Sequence, residues 1–200
     1  MEKSFVIESG TMRATDPCYK CYSPGLQAEF PVLNGTWNAF VFLEKAYWCG
    51  GNTISSLLVK HEEAPAYIPD YQFQSINDGC GVDSGQFGFF DAAKYPTDES
   101  EFKWIHGSGN FYSTCCEGTT NDNARVLEAA VLPFGACSAT AYGDGSYKVE
   151  VAKNAEGVII AARVIYLDDE EDDYYIEEDE DEYENDDDDD EDQDAEDSIS

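Results

Sequence analysis

The sequence predicts a mainly β fold, an antiparallel β-sandwich or partly open barrel, over residues 1–167, followed by a disordered acidic tail over 168–200. Short stretches in which apolar and polar residues alternate recur along the first part, as in half-buried strands. Glycine, proline and asparagine turn signals separate these stretches, which is typical of antiparallel sheets. Acidic residues then dominate the C-terminal end, where too few apolar residues remain to form a core.

The N-terminal segment predicts two short strands. The sequence "SFVIES" (4–9) alternates until Gly10 interrupts it, and "TMRAT" (11–15) resumes the pattern. Asp16-Pro17 follows directly, and this pair favours a turn. We therefore expect two strands joined by a tight turn.

Two longer strands are expected next. The sequence "TWNAFVFLEKAYW" (36–48) follows Asn34-Gly35, a hairpin dipeptide, and is rich in the β-branched and aromatic residues that suit a pleated sheet. The sequence "TISSLLVKH" (53–61) follows Gly50-Gly51. We expect the two strands to pair with each other.

Further strands are predicted from residue 71 onward. The sequences "YQFQSI" (71–76) and "GQFGFF" (85–90) are strand-like, and residues 98–104 are compatible with a short helix. The sequence "YKVEVAKNAEGVIIAARVIYL" (147–167) predicts a hairpin that turns at 154–157. Its second strand is mostly apolar, which indicates a central position in a sheet.

Residues 122–132, "DNARVLEAAVL", fit two structures. Apolar residues at Val126, Leu127, Ala130 and Val131 would share one helical face, with Asp122 or Asn123 as the cap. The same run also fits a buried strand. The strands predicted on either side favour the strand.

Charge divides the chain at residue 168. Residues 168–197 contain 23 acidic residues and no lysine or arginine, which leaves 20 of the 43 acidic residues and all 11 basic residues in 1–167. The formal charges are therefore −23 for the tail and −9 for the first part. A segment with this composition cannot bury enough apolar surface to fold alone. Because both parts are acidic, direct binding to nucleic acid is not expected.

The tail is the strongest functional signal in the sequence. Its carboxylates would present a phosphate-like line of charge to a basic protein surface, as a nucleic-acid mimic or inhibitor does. Tyrosines interrupt the acidic run and would add selectivity to the contact. The alternative is a purely solubilising tail. The residues expected to contact the partner are Asp172, Asp173, Tyr174, Tyr175, Glu177, Glu178, Tyr183, Asp186, Asp187 and Asp188.

Three segments of the first part resemble a bacterial family, domain of unknown function 4241. They are "ESGTMRATDP" (8–17), "GVDSGQFGFFD" (81–91) and "YGDGSYKVEVAKNAEG" (142–157), in the order and spacing of that family. The resemblance covers about residues 5–167 and implies a β-rich domain that ends before the tail. It transfers no catalytic residue, because the activity of the family is itself unassigned.

Four aspartates in or beside predicted turns support an alternative function. Asp16, Asp83, Asp91 and Asp144 could together bind calcium or magnesium, as in a metal-dependent hydrolase or a small-ligand-binding domain. Aspartate in a turn also serves simply as an acceptor for backbone amides, and this second interpretation is favoured. We therefore expect no cofactor. Nucleophilic catalysis has little support, because a Gly-x-Ser-x-Gly elbow is missing and the chain has only two histidines.

The cysteines indicate a reducing compartment. Seven is an odd number, so at least one thiol would stay unpaired in a disulfide scaffold. Cys18 and Cys21 have the spacing of half a zinc site, which Cys115 together with Cys116 or Cys137 could complete, but buried or incidental thiols are the favoured interpretation. The first ten residues lack the apolar core of a signal peptide, and no apolar run is long enough to span a membrane. We expect a cytoplasmic protein that does not contact membranes.

Overall fold

Two antiparallel sheets pack face to face and enclose the main apolar core. The computed structural model describes residues 3–20, 22–46, 48, 50–121 and 124–167. Neither large sheet closes on itself within these residues, so the fold is the predicted β-sandwich and not a barrel. The predicted tail lies outside the described residues.

The larger sheet has six strands and contains most of the long strands predicted from the sequence. In spatial order they are β1 (Ser4–Ile7), β4 (Gly35–Ala46), β5 (Gly51–His61), β15 (Ile159–Ile165), β14 (Val149–Lys153) and β6 (Gln74–Ser75). The predicted pairing of β4 with β5 is confirmed, and so is the hairpin of β14 and β15. Asn154 Oδ1 accepts hydrogen bonds from the Glu156 and Val158 amides at 3.1 and 2.9 Å, which stabilises the hairpin turn.

The second sheet has five strands and carries the candidate site at one end. In spatial order they are β11 (Ala130–Leu132), β12 (Gly135–Ala139), β8 (Gln86–Asp91), β2 (Thr11–Thr15) and β3 (Ala28–Pro31). Strand β8 is buried at every residue. Phe87 and Phe89 point into the sandwich core, whereas Phe90 points to the opposite face.

Two small ribbons and three helical segments complete the described structure. The ribbons pair β7 (Cys80–Val82) with β13 (Gly145–Tyr147), and β9 (Thr120–Asn121) with β10 (Ala124–Arg125). The helical segments are the 3-10 helices Asp70–Gln72 and Glu99–Phe102 and the α-helix α1 (Phe111–Thr119). None of the described helices is long and apolar enough to cross a membrane.

The sandwich core contains inward-facing residues from both sheets. The six-stranded sheet contributes Ile7, Trp37, Leu57, Val59, Val149 and Val164, and the five-stranded sheet contributes Met12, Ala14, Phe87, Phe89 and Ala136. All of them are fully buried. Burial of this much aromatic and aliphatic surface is the main stabilising contribution of the fold.

A second apolar cluster covers the outer face of the five-stranded sheet. Phe111 and Cys115 of α1 pack there against Phe90, with the Phe90 and Phe111 ring centroids 5.3 Å apart in an edge-to-face arrangement. Glycine is required at Gly135, because a Cβ at this position would lie 2.3 Å from the Phe90 ring. The cluster fixes α1 above the sheet and explains why both faces of β8 are buried.

Three sequence predictions are refined by the structure. Residues 122–132 contain two short strands, β10 and β11, and no helix among the described positions, so the favoured strand is correct in type but is divided, and its first part is exposed rather than buried. The helix expected within 98–104 is the 3-10 turn Glu99–Phe102, whose N-cap is Asp98. The strand predicted at 71–76 shortens to Gln74–Ser75, because a 3-10 turn occupies Asp70–Gln72.

Candidate functional site

Asp16 organises the turn at the end of β2. Its carboxylate is fully buried, and Oδ2 accepts hydrogen bonds from the Asp83 and Ser84 amides at 2.8 Å each. Oδ1 accepts from the Cys18 amide at 2.8 Å and from Ser84 Oγ at 2.6 Å. These four donors use the acceptor capacity of the carboxylate. Because two of the donating residues lie in the loop after β7, Asp16 joins this loop to the end of β2.

Asp91 has the same role at another turn. Its carboxylate is fully buried, and Oδ2 accepts from the Glu8 and Ser9 amides at 2.6 and 3.0 Å. Oδ1 accepts from the Ala93 amide at 2.9 Å and from the Lys94 amide at 3.3 Å. Asp91 therefore fixes the turn between β1 and β2 against the end of β8.

The four turn aspartates do not form one metal site in the described structure. Asp83 and Asp144 are exposed, whereas Asp16 and Asp91 are buried and occupied by backbone donors. Among the described residues, no three histidine, cysteine, aspartate or glutamate side chains form a group that could hold a metal ion. Asp16 and Asp91 instead accept hydrogen bonds from backbone amides, which is the interpretation that the sequence favoured.

The three segments behind the family resemblance meet at this end of the sandwich. Asp16 of the first segment binds the Asp83 and Ser84 amides of the second. Strand β7 of the second segment pairs with β13 of the third, with Val82 opposite Gly145. Residues distant in sequence therefore build one surface, which continues into a cleft.

The cleft lies between the start of β8 and the exposed side of α1. Its volume is about 730 Å³. Gln86 is buried, and Ser84, Tyr112 and Cys116 are partly buried. Neither lysine nor arginine lines the cleft among the described residues. The full lining consists of Ser84, Gln86, Trp104, His106, Tyr112, Cys116, Glu117, Thr120 and Asn121.

The Gln86 carboxamide is only partly hydrogen-bonded. Its Nε2 donates to Cys116 Sγ at 3.3 Å, while its buried Oε1 has no hydrogen-bond partner among the described residues. Sulfur is a weak acceptor, and an unsatisfied buried amide oxygen costs roughly 1–3 kcal/mol. The wall of the cleft therefore contains an amide group with unused hydrogen-bonding capacity.

Cys116 is not activated as a nucleophile. Burial raises the pKa of its thiol above the ordinary value, although hydrogen bonds from Gln86 and Tyr112 act in the opposite direction. The thiolate is the reactive form, so Cys116 stays a neutral thiol at neutral pH. His106 contacts Glu117 instead, with Nδ1 3.4 Å from Oε1.

Glu117 and Trp104 form the rim of the cleft. Glu117 Oε1 also accepts a hydrogen bond from the Gly107 amide at 2.6 Å, which fixes the carboxylate in place. The Trp104 ring lies edge-on to the His106 ring, with 56% of the residue exposed. The cleft thus combines an oriented carboxylate with an accessible aromatic ring.

The described cysteines are unpaired thiols. Cys115 and Cys137 are buried side by side, where burial and the neighbouring sulfur raise the pKa of Cys115. Burial and the Asp16 carboxylate likewise raise the pKa of Cys18. The second cysteine of the predicted half zinc site, Cys21, lies outside the described residues.

The partner-binding residues predicted in the tail, from Asp172 to Asp188, also lie outside the described residues. The cleft, in contrast, was not predicted from the sequence. Gln86, Trp104, Tyr112 and Glu117 come together because α1 folds over β8, and α1 was itself not predicted. Asn110 was the sequence signal for the start of α1, because asparagine is a common N-cap residue and its side chain here accepts a hydrogen bond from the Ser113 amide.

Comparison with protein-family models, curated protein sequences and solved structures finds no match to this chain. The resemblance to domain of unknown function 4241 therefore stays a prediction.

The buried Asp91 carboxylate predicts an acid-sensitive contribution to stability. Burial alone would raise its pKa, but hydrogen bonds from Glu8, Ser9 and Ala93 together outweigh burial and hold the pKa below the ordinary value. A lowered pKa in the folded state stabilises the fold above the pKa of the unfolded state, and this contribution disappears as the pH falls through the folded value.

We therefore expect Asp91→Asn to destabilise the protein clearly at pH 7 and progressively less below about pH 4. Urea unfolding of both proteins over this pH range measures the difference. A difference between the two proteins that stayed constant with pH would contradict the role assigned to Asp91.

Proposed function

We propose that this protein binds a basic protein surface through residues 168–200, acting in the cytoplasm as a non-enzymatic interaction protein. The observation that carries the proposal is the run of 23 acidic residues without a single lysine or arginine. Such a polyanion attracts cationic surfaces over roughly 8 Å at cellular salt. A basic surface that normally binds nucleic acid has the matching charge, and a nucleic-acid mimic is the more specific form of the proposal.

Ion pairing in the folded domain supports this proposal. Many of its basic side chains already face acidic partners: Lys3 with Glu128, Arg13 with Glu29, Lys20 with Glu99, Lys94 with Glu8, and Arg163 with Asp70 and Glu150. The domain still has a formal charge of −9 from 20 acidic and 11 basic residues. Five of the 11 basic residues thus have acidic partners within the domain, and the excess of acidic over basic residues remains available to an external partner.

Aromatic residues in the tail support a selective contact. Tyr174, Tyr175 and Tyr183 interrupt the acidic run, and Ile176 follows the first pair. Tyrosine rings and the isoleucine side chain can fill pockets on a partner and bury apolar surface there, which carboxylates alone cannot do. A tail that only increased solubility would have no use for them.

Affinity capture from extracts tests the proposal. Three baits are compared: the full chain, a full-length variant whose tail aspartates and glutamates become asparagine and glutamine, and a full-length variant with Tyr174, Tyr175 and Tyr183 changed to serine. We expect the full chain to retain a basic protein at low salt and to release it at high salt. The neutral tail should retain none, and the serine variant should retain basic proteins with less selectivity.

A control variant separates this function from the alternative. Asp83→Asn combined with Asp144→Asn removes two of the turn aspartates and leaves the tail unchanged. Capture should be unaffected by this change if the tail is the binding element. Capture that survives neutralisation of the tail but is lost with the Asp83 and Asp144 changes would overturn the proposal and favour the metal-dependent or ligand-binding alternative.

A further inference from the structure

We propose that the cleft between β8 and α1 binds a guanidinium or ammonium group. This site lies in the folded domain and is independent of the tail function proposed above. Three features of the cleft favour such a ligand: the sign of its charge, the unsatisfied Gln86 carboxamide and the fixed position of Glu117.

The lining of the cleft favours a cation. It contains one carboxylate, from Glu117, and no lysine or arginine among the described residues. Trp104 and Tyr112 contribute aromatic rings, and a cation is attracted to the face of such a ring. The formal charge of −9 on residues 1–167 favours cations over anions near this domain.

The Gln86 carboxamide requires a hydrogen-bond donor. The side chain is 6% exposed, lies in the wall of the cleft, and has no hydrogen-bond partner for Oε1 among the described residues. Guanidinium and ammonium groups carry several N–H donors and no acceptor, so they match an amide oxygen and a carboxylate together. A neutral N–H donor could also bind both oxygens, but it would lack the charge attraction that a cation gains from Glu117.

Glu117 is held ready for such a ligand. Its Oε1 accepts from the Gly107 amide at 2.6 Å and lies 3.4 Å from His106 Nδ1. An anchored carboxylate loses little side-chain entropy on binding, which favours affinity.

The indole N–H resonances of the full chain test this proposal by NMR. The three tryptophans give one reporter and two internal controls, because Trp104 lines the cleft, Trp37 is fully buried and Trp48 is exposed elsewhere. The probe is argininamide, and the matched probe is citrullinamide, which replaces the guanidinium by urea; both carry an acetyl group on the α-nitrogen, so that the first has a single positive charge on its side chain and the second is neutral. Cations attracted to the tail affect the unmodified chain and Glu117→Gln equally, because both carry the same tail.

We expect argininamide to shift the Trp104 resonance to saturation while Trp37 and Trp48 stay in place. Citrullinamide should bind at least tenfold more weakly than argininamide, and Glu117→Gln should lower the affinity for argininamide by a similar factor. The glutamine variant keeps an oxygen for the Gly107 amide, and an unchanged Trp37 signal shows that it is folded. Equal binding of both probes, no saturable shift at Trp104, or full affinity in Glu117→Gln would overturn the proposal.

A second probe identifies the source of the cation. The guanidinium could belong to a free metabolite or to an arginine side chain of a protein. A blocked pentapeptide with one central arginine between glycines binds Trp104 at least as tightly as argininamide if the site accepts a protein side chain. If it binds much more weakly than argininamide, the site accepts a free small molecule.

Discussion

Replacing Asp16 by alanine is expected to destabilise the folded domain by about 3–5 kcal/mol, a large part of the stability of a typical domain. The carboxylate is fully buried and accepts four hydrogen bonds, three of them from backbone amides. Alanine would leave these donors without a partner and would detach the loop after β7 from β2. Buried unsatisfied donors are among the few causes of so large an effect.

Urea unfolding of the full chain measures this change, and Asp144→Ala is the matched control. Asp144 also lies in a glycine-rich turn but is exposed, so its replacement should change stability by less than about 0.5 kcal/mol. Equal effects of the two substitutions would contradict the role of Asp16 as the organising acceptor of this turn.

Removal of residues 168–200 is expected to lower affinity for the basic partner about 100-fold while leaving the fold intact. The deletion removes a formal charge of −23 and the tail tyrosines, and electrostatic attraction of this kind changes association by roughly 10- to 1000-fold. The described domain has its own apolar core, whose described residues all precede residue 168.

Binding and stability are measured on the same truncated protein. Affinity for the captured partner is determined by calorimetry, and unfolding is followed in urea beside the full chain. We expect lost binding together with an unfolding free energy within about 1 kcal/mol of the full chain. A truncated protein that binds as the full chain does would place the binding surface in the folded domain and contradict the account.

Local sequence signals were sufficient for the hairpins of the sandwich. The β4–β5 and β14–β15 pairs were predicted because turn residues at Asn34-Gly35, Gly50-Gly51 and 154–157 interrupt runs of strand-forming residues. In these hairpins the turn and the alternation depend only on neighbours in the sequence. The order of the strands in the two sheets depends on distant contacts and was not predicted.

Helix α1 was not predicted because its stability comes from tertiary packing. Its sequence, "FYSTCCEGT", contains serine, threonine, cysteine and glycine, which are weak helix formers. Phe111 and Cys115 bury one face of the helix against the sheet, and Gly118 allows close approach to Ala130. Without the helix the sequence does not bring Trp104 and Glu117 near Gln86, so the cleft could not be predicted.

The turn aspartates show a further limit of sequence reasoning. Asp16, Asp83, Asp91 and Asp144 have similar glycine-rich or turn-forming neighbours, yet the first and third are buried acceptors while the other two are exposed. Whether an aspartate in a turn faces amides or solvent depends on the segment that packs against it, which for Asp16 is 67 residues away. Sequence alone identified the residues but not which of them the fold uses.

The dependence of affinity on salt tests the central claim most directly. The measurement compares the full chain with its charge-neutral tail variant, using a synthetic lysine peptide of ten residues as a defined basic partner. A tail that binds as a polyanion predicts that log affinity of the full chain falls steeply with log salt between roughly 50 and 200 mM, as counterion release requires, while the neutral variant stays weak and nearly independent of salt. Equal affinities with the same dependence on salt for the two proteins would contradict the claim.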